Sequence, residues 1–351
     1  MSHPYRGLPD SAFWRRAVGG VPESEVDPVV EAPFTIGRQS PIATAGSCFA
    51  QHIARVLAER GYNYLVTETA PPGDPDPESY GVFPARTGNI YTVRQLLQTF
   101  NRAYGLFHPV DVAWRREDGA LADPFRPQVR AAGFESLEAL EADRKRHLAS
   151  VRAMFEDCDV FIFTLGLTEA WVSARDGAVF PLAPGVAGGE PGPDYGFHNM
   201  GVEEMTADLR EFVRRLRVVN PAVRLILTVS PVPLVATFEP AHVLAATTYS
   251  KAALRVVAEV VARSEPEVCY FPSYEIITGP QARGRYFASD LRSVTDEGVA
   301  RVMGVFGRHF LADTAAAPAR AMAGAATLSD ADRQRFEELS AVICDEEALD
   351  V

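Results

Sequence analysis

The sequence predicts an α/β protein: a three-layer α/β/α sandwich built on a doubly wound, mostly parallel sheet, with loop insertions and an N-terminal arm. Three observations carry this. Residues 159–166 and 224–230 are uninterrupted apolar runs, which read as central strands buried on both faces. Stretches with apolar residues at helical spacing alternate with them along the chain, and such alternation implies a parallel sheet with helices on both sides. Finally, Ile42-Ala43-Thr44-Ala45-Gly46-Ser47-Cys48-Phe49-Ala50 reads as a short strand that ends in glycine and turns at once into a helix. Phe49, Ile53, Val56 and Leu57 follow at the spacing of one buried helix face.

Residues 1–40 are rich in proline and acid, with Phe13-Trp14 as the strong apolar anchor, and read as an arm across the domain at 41–312. Gly61 is placed to end the first helix, and Tyr62-Asn63-Tyr64-Leu65-Val66 reads as the next strand. Residues 70–79 are a loop. Thr92 is a natural N-cap for a helix on Val93, Leu96, Leu97 and Phe100. A charged helix spans 136–156, with His147 as a structural residue. The run 159–166 then delivers Thr168 and Glu169 just beyond a strand's carboxyl end, where open parallel sheets bind ligands. Residues 176–200 form a glycine- and proline-rich excursion ending in Phe197-His198-Asn199. Helices at 202–219 and 247–262 flank the second central strand, and 268–271 is a further strand. A last helix begins near Thr295 and ends at Phe310. The alanine-rich, acidic stretch 313–351 is expected to be a linker and tail.

Composition narrows the function classes. The chain has 351 residues, 47% hydrophobic and 23% charged, enough for a sizeable core. Its 34 basic and 46 acidic residues give a net charge of −12, which argues against a nucleic-acid binder but leaves room for a local basic pocket. The four cysteines lie far apart, and no histidine spacing suits a metal. With no leader-like start and no long apolar run, a cytoplasmic location without a membrane span is expected. The arm and the acidic tail are the segments with which a protein partner would engage.

Ser47 and Cys48 stand at a strand-to-helix turn. Free N–H groups and the positive end of the helix dipole there activate a thiol and stabilise an oxyanion. Either residue can serve as a nucleophile, or Ser47 simply caps the helix while Cys48 fills core.

Gly46-Ser47-Cys48-Phe49-Ala50, followed in order by Gly88-Asn89-Ile90-Tyr91, Thr164-Leu165-Gly166-Leu167-Thr168-Glu169 and Ser230-Pro231-Val232, resembles the GSCFA domain family over nearly the whole chain through about residue 310. That family looks similar to the SGNH/GDSL esterases and acyltransferases, flavodoxin-like sheets that handle O-acyl groups. The resemblance implies an acyl-ester enzyme working through a covalent intermediate on Cys48 or Ser47. Direct superposition on Gly-Asp-Ser selects Cys48, and a one-residue slip selects Ser47. Gly88, with Asn89 beside it, matches the glycine that donates to the oxyanion, and Gly166-Leu167-Thr168-Glu169 stands where Gly-x-Asn-Asp would be, so that Thr168 replaces an amide donor with a hydroxyl. The terminal Asp-x-x-His block departs from the pattern: Asp290 is retained, but Ser293 stands in the histidine position, and Arg292 beside Asp290 is either an anion-binding residue or a surface ion pair. His198 and His242 are then the replacements for the base, and His52 and His309 are structural. The resemblance implies an O-acetylated carbohydrate or glycan precursor as substrate. The chemistry requires no cofactor, and an acyl-CoA is admissible as donor. The alternative is a catalytically silent fold that binds a carbohydrate, a nucleotide or a protein in the same cleft.

Overall fold

The computed structural model describes residues 3–74 and 76–312. Strand β1 (Ile42–Gly46) leads into helix α1 (Phe49–Glu59), and α2 (Val93–Ala103) follows after a long connection. A two-residue hairpin, β2 (Trp114–Arg115) and β3 (Leu121–Ala122), precedes α3 (Leu137–Asp157) and β4 (Val160–Leu165). Next come β5 (Glu169–Ser173), β6 (Val179–Phe180), β7 (Tyr195–Asn199), α4 (Val202–Val219) and β8 (Arg224–Val229). Helix α5 (Val243–Ser264), β9 (Val268–Tyr270), α6 (Ser273–Thr278) and α7 (Asp296–Phe310) complete the described fold.

The central sheet is parallel, in the order β1-β4-β8-β9. Its residues divide by parity, as the period of a strand demands. Ala43, Ala45, Phe161, Phe163, Leu225 and Leu227 pack with α2, α3, α4 and α5. Ile42, Val160, Ile162 and Ile226 pack with α1, α6 and α7 on the opposite face. Both faces are therefore covered, which is why the strands read as continuous apolar runs. Among the described residues no helix is long and apolar enough to cross a membrane.

Local chemistry fixes the helix ends. Helix α1 closes in a Schellman motif: Tyr62 N–H reaches Leu57 O at 3.0 Å and Gly61 N–H reaches Ala58 O at 3.0 Å, with Gly61 at φ +73. Thr92 and Gln95 form a capping box at α2, and Ser136 and Thr295 cap α3 and α7.

Four expectations are revised. Residues 62–66 do not form a strand; Tyr64 makes a single parallel bridge beside Ile42. The flanking N–H groups go elsewhere, Asn63 to Arg38 O and Thr67 to Pro84 O, so no ladder can grow. The bridge still lies on the outer side of β1, giving the strand sequence of a flavodoxin-like sheet. The excursion 176–200 carries two strands of a separate antiparallel sheet, β6-β5-β7, in which Glu169 begins the middle strand. Helix α5 starts four residues earlier than its apolar pattern indicates, because His242 caps it. Trp14 does not anchor the arm, being 67% exposed. The contacts come later: Ile36 is fully buried and bridges to Leu311, Phe34 packs edge-on against Phe310, and Asp27 pairs with Arg308 and His309. The stretch 313–351, expected as linker and tail, lies outside the described residues.

Candidate functional site

The chain leaves the sheet at Gly46, and only glycine fits there. Its φ is +139, and a β-carbon would meet the Thr164 carbonyl oxygen on β4 at 2.3 Å. Ser47 N–H donates to the same oxygen at 3.2 Å, which sets the direction of the turn. Cys48 then occupies the N-cap position of α1, with no side-chain cap. The N–H groups of Ala50 and Gln51 turn back to the Ser47 and Cys48 carbonyls, at 2.8 and 3.1 Å, so that those of Cys48 and Phe49 precede the hydrogen-bonded turn.

Ser47 is 3% exposed, and its Oγ is buried without a hydrogen-bond partner. Buried hydroxyls are nearly always satisfied, so this one calls for a functional explanation. It lines a small cavity together with Cys48, Gly166 and Lys251, roofed by residues 232–234 after β8. Lys251, on α5, is 2% exposed and donates from Nζ to the Gly166 carbonyl at 2.6 Å. Sequence reasoning overlooked Lys251. The signal was there: it interrupts the inward face made by Ala246, Leu254, Val257 and Val261, where a lysine has no packing reason to be.

The other residues singled out from the sequence divide into several groups. Gly166 closes against the nucleophile turn, but its N–H and that of Leu167 both donate to the Tyr91 carbonyl, at 3.0 and 3.1 Å. Thr168 is fully buried, and its hydroxyl donates to Asn199 Oδ1 at 2.6 Å while its N–H donates to Ser250 Oγ at 3.1 Å. Glu169 accepts from the Thr237 hydroxyl at 2.6 Å and from Phe238 N–H at 3.2 Å. Asn199 Nδ2 donates to Glu239 at 2.9 Å. Thr168, Glu169 and Asn199 thus anchor the loop whose start roofs Ser47.

Gly88 and Asn89 line a different, larger cleft; Gly88 adopts φ +65, and Asn89 accepts from Gln51 Nε2 at 3.3 Å. The next residue joins them to the turn, since Ile90 N–H donates to Gly46 O at 2.8 Å.

The histidines have other partners. His198 Nε2 meets Glu204 at 2.7 Å, and His242 Nδ1 accepts the Leu244 N–H at 3.2 Å as the cap of α5. Neither lines the cavity that holds Ser47. His52 meets Arg55 at 3.1 Å, and burial, with Arg55 nearby, pushes it down to about 4, so it is neutral. His309 meets Asp27 at 2.8 Å. Asp290 turns on its own loop: it accepts the Ser293 hydroxyl and the N–H groups of Arg292 and Ser293, at 2.9 and 3.0 Å for the latter two. The Ser293 hydroxyl, followed by these N–H groups, holds the Asp290 carboxyl below the usual range. Ser293 in the histidine position therefore satisfies the aspartate instead of passing its charge on to a base.

Comparison with known proteins gives one match: the model of the GSCFA family fits residues 41–306. No curated protein matches, and no solved structure matches.

Proposed function

The chain belongs to the GSCFA family, and from that premise we propose that it is an SGNH-like acyl-ester enzyme, an esterase or O-acyltransferase, acting through a covalent acyl intermediate on Ser47. The observation that carries the reading is the buried, unpartnered Ser47 hydroxyl at a strand-to-helix turn, in one cavity with Lys251. A serine activated by a lysine is an established variant of the serine–histidine pair.

In this reading Lys251 takes the Ser47 proton while Oγ attacks the acyl carbonyl carbon. The N–H groups of Cys48 and Phe49, ahead of those that Ala50 and Gln51 give to backbone carbonyls, receive the negative oxygen. Collapse breaks the bond to the leaving group, which takes the proton from Lys251. Water or an acceptor hydroxyl, deprotonated by the same amine, then attacks the acyl-enzyme and frees Ser47. Cys48 is the second reading, because it lines the same cavity and is less buried than Ser47.

The O-acetylated carbohydrate assigned as substrate rests on the family resemblance. One surface feature supports it. Trp171 and Phe197 pack on Phe238, at 5.0 and 5.3 Å between centroids, and Phe238 is 66% exposed beside Glu169 and Glu239. Exposed aromatic faces next to carboxylates suit an apolar sugar face ringed by hydroxyls. The silent-fold alternative draws on Asp290, His198 and His242, each of which is engaged away from Ser47.

The test is mass spectrometry of the protein after exposure to p-nitrophenyl acetate or acetyl-CoA. An acetyl adduct on the peptide containing Ser47, absent in Ser47→Ala and kept in Cys48→Ala, is expected. Loss in Cys48→Ala alone moves the nucleophile to the thiol. No adduct and no turnover with any donor leaves the silent fold.

A further inference from the structure

In a chain of net charge −12, one large cleft is lined by arginine. This cleft, about 1110 Å³, lies between residues 86–89, 115–118, 125–131 and 185–191. Arg86, Arg115, Arg116, Arg126 and Arg130 face it, against Asp76, Glu117, Asp118 and Glu190. Its volume exceeds the roughly 300–1,000 Å³ typical of small-molecule sites, leaving room for a nucleotide-sized ligand.

Two of the arginines are built into the floor. Arg86 is 3% and Arg126 2% exposed. Burying a guanidinium is costly unless its charge and all its N–H groups are matched. Here the match is incomplete. Arg126 bonds Asp123 at 3.2 and 3.0 Å and Asp143 at 2.8 Å, but its Nη1 has no partner. Arg86 reaches Asp143 at only 3.4 Å and Val129 O at 3.3 Å, and its Nε has no partner; nor has Arg130 Nε. Behind the floor, Arg102 is buried too, held 3.8 Å over the Phe125 ring with its Nη2 unpartnered. The buried carboxylates Asp123 and Glu68 are ionised: burial opposes this, but it is outweighed by the neighbouring arginines and, at Glu68, first by the His147 hydrogen bond. The floor thus holds guanidinium groups whose charge Asp123 and Asp143 balance but whose hydrogen bonding protein groups leave incomplete. At the rim, Arg115 is exposed and has no ion-pair partner among the described residues, while Arg116 pairs with Asp118 at 3.0 Å. Gly88 and Asn89 form the inner wall, one residue from the bond between Ile90 and Gly46 that adjoins the Ser47 turn.

We propose that this cleft binds the diphosphate of a nucleotide-type small molecule, with Arg86 and Arg126 as its floor and Arg115 and Arg116 as its rim. Guanidinium groups suit phosphate oxygens by geometry as well as charge. Under the acyl-ester reading, on which only this last assignment rests, the ligand is a phosphate-bearing acyl donor and the reaction is transfer.

Titration calorimetry on the full chain tests it, with inorganic pyrophosphate, ADP and coenzyme A as separate probes. ADP and coenzyme A are expected to bind, to be displaced by pyrophosphate, and to weaken as salt rises. The Arg115→Ala/Arg116→Ala double variant should weaken each by about tenfold or more, and Arg115→Glu should do so as well. Both residues are at the rim, and an unchanged melting temperature verifies the fold. Ser47→Ala should bind as wild type does. No binding of any probe, wild-type affinity in the rim variants, or ADP and coenzyme A binding that pyrophosphate cannot displace would overturn the site. If binding fails while Ser47 still acetylates from p-nitrophenyl acetate, only this inference falls. If binding holds while no donor acylates the protein, the phosphate site stands and the acyl-ester reading falls.

Discussion

Gly166 lies directly against Ser47: a β-carbon added at Gly166 would sit 3.1 Å from the Ser47 β-carbon and 3.0 Å from the Tyr91 carbonyl oxygen. The glycine belongs to the family-like block on β4, yet its use is steric rather than as an N–H donor. Gly166→Ala is expected to destabilise by about 1–3 kcal/mol through overpacking and to shift the Ser47 turn, slowing acetylation. Urea unfolding and labelling rates check the two effects, and a variant matching wild type in both would show that the contact is not tight.

Lys251 separates chemistry from scaffolding. Lys251→Met should cut acetylation of Ser47 by about 10²–10⁴-fold, the usual worth of a proton-transfer group. Lys251→Arg keeps N–H groups able to donate to the Gly166 carbonyl but cannot act as a base. A structural role predicts rescue by arginine; the proposed role predicts none, together with loss of the ascending limb of the pH–rate profile.

His198 and His242 should prove dispensable for labelling. His198→Ala removes a half-exposed contact with Glu204, and His242→Ala removes a helix cap worth about 1 kcal/mol. Acetylation rates within about twofold of wild type are expected for both at pH 7. A hundredfold loss in either would restore that histidine as the base.

His147 gives the protein a readable acid sensitivity. It is buried, bonded to Glu68 at 2.8 Å, and pushed down to about 4 by burial and by Arg126. The unfolded chain takes up this proton near pH 6.5. Its contribution is therefore complete above about pH 6.5 and is lost as pH falls through 4, with a slope of about 1.4 kcal/mol per pH unit inside that window. His147→Gln should remove about half of the slope between those limits, since His52, also pushed down to about 4, supplies the rest. Parallel curves for the two proteins would mean that the ring is charged in the fold.

Glu169 holds the loop above the site through Thr237 and Phe238. Glu169→Ala should raise the rate of Cys48 alkylation by iodoacetamide about tenfold, as two anchoring hydrogen bonds are lost. An unchanged rate would mean that the loop does not control access.

Much of this was legible in the chain. The β1–α1 turn, Gly61, Thr92 and the two central strands announced themselves because each follows from local rules of backbone chirality, capping and burial. What could not be read depends on groups distant in sequence. The stretch 62–66 has strand composition, but Arg38 and Pro84 take the N–H groups a ladder would need. His242 had the look of a base in a loop until the helix began one residue after it. Lys251 comes to line one cavity with Ser47 only once α5 has packed beside β8 and β9, and no short motif joins the two. The arginine cleft is assembled from four separated segments, so the overall charge of the chain conceals it.

The closed roof over Ser47 carries a kinetic consequence. With the hydroxyl 3% exposed beneath residues 232–234, encounter and reaction cannot be a single event. Acylation should saturate with donor concentration at the opening rate of the segment, on the microsecond-to-millisecond scale of loop motion or slower. The same cover keeps bulk solvent from the acyl-enzyme once it has formed. The lifetime of that intermediate, and its partition between water and a second substrate, would then be set by how often residues 232–234 lift rather than by the strength of the base.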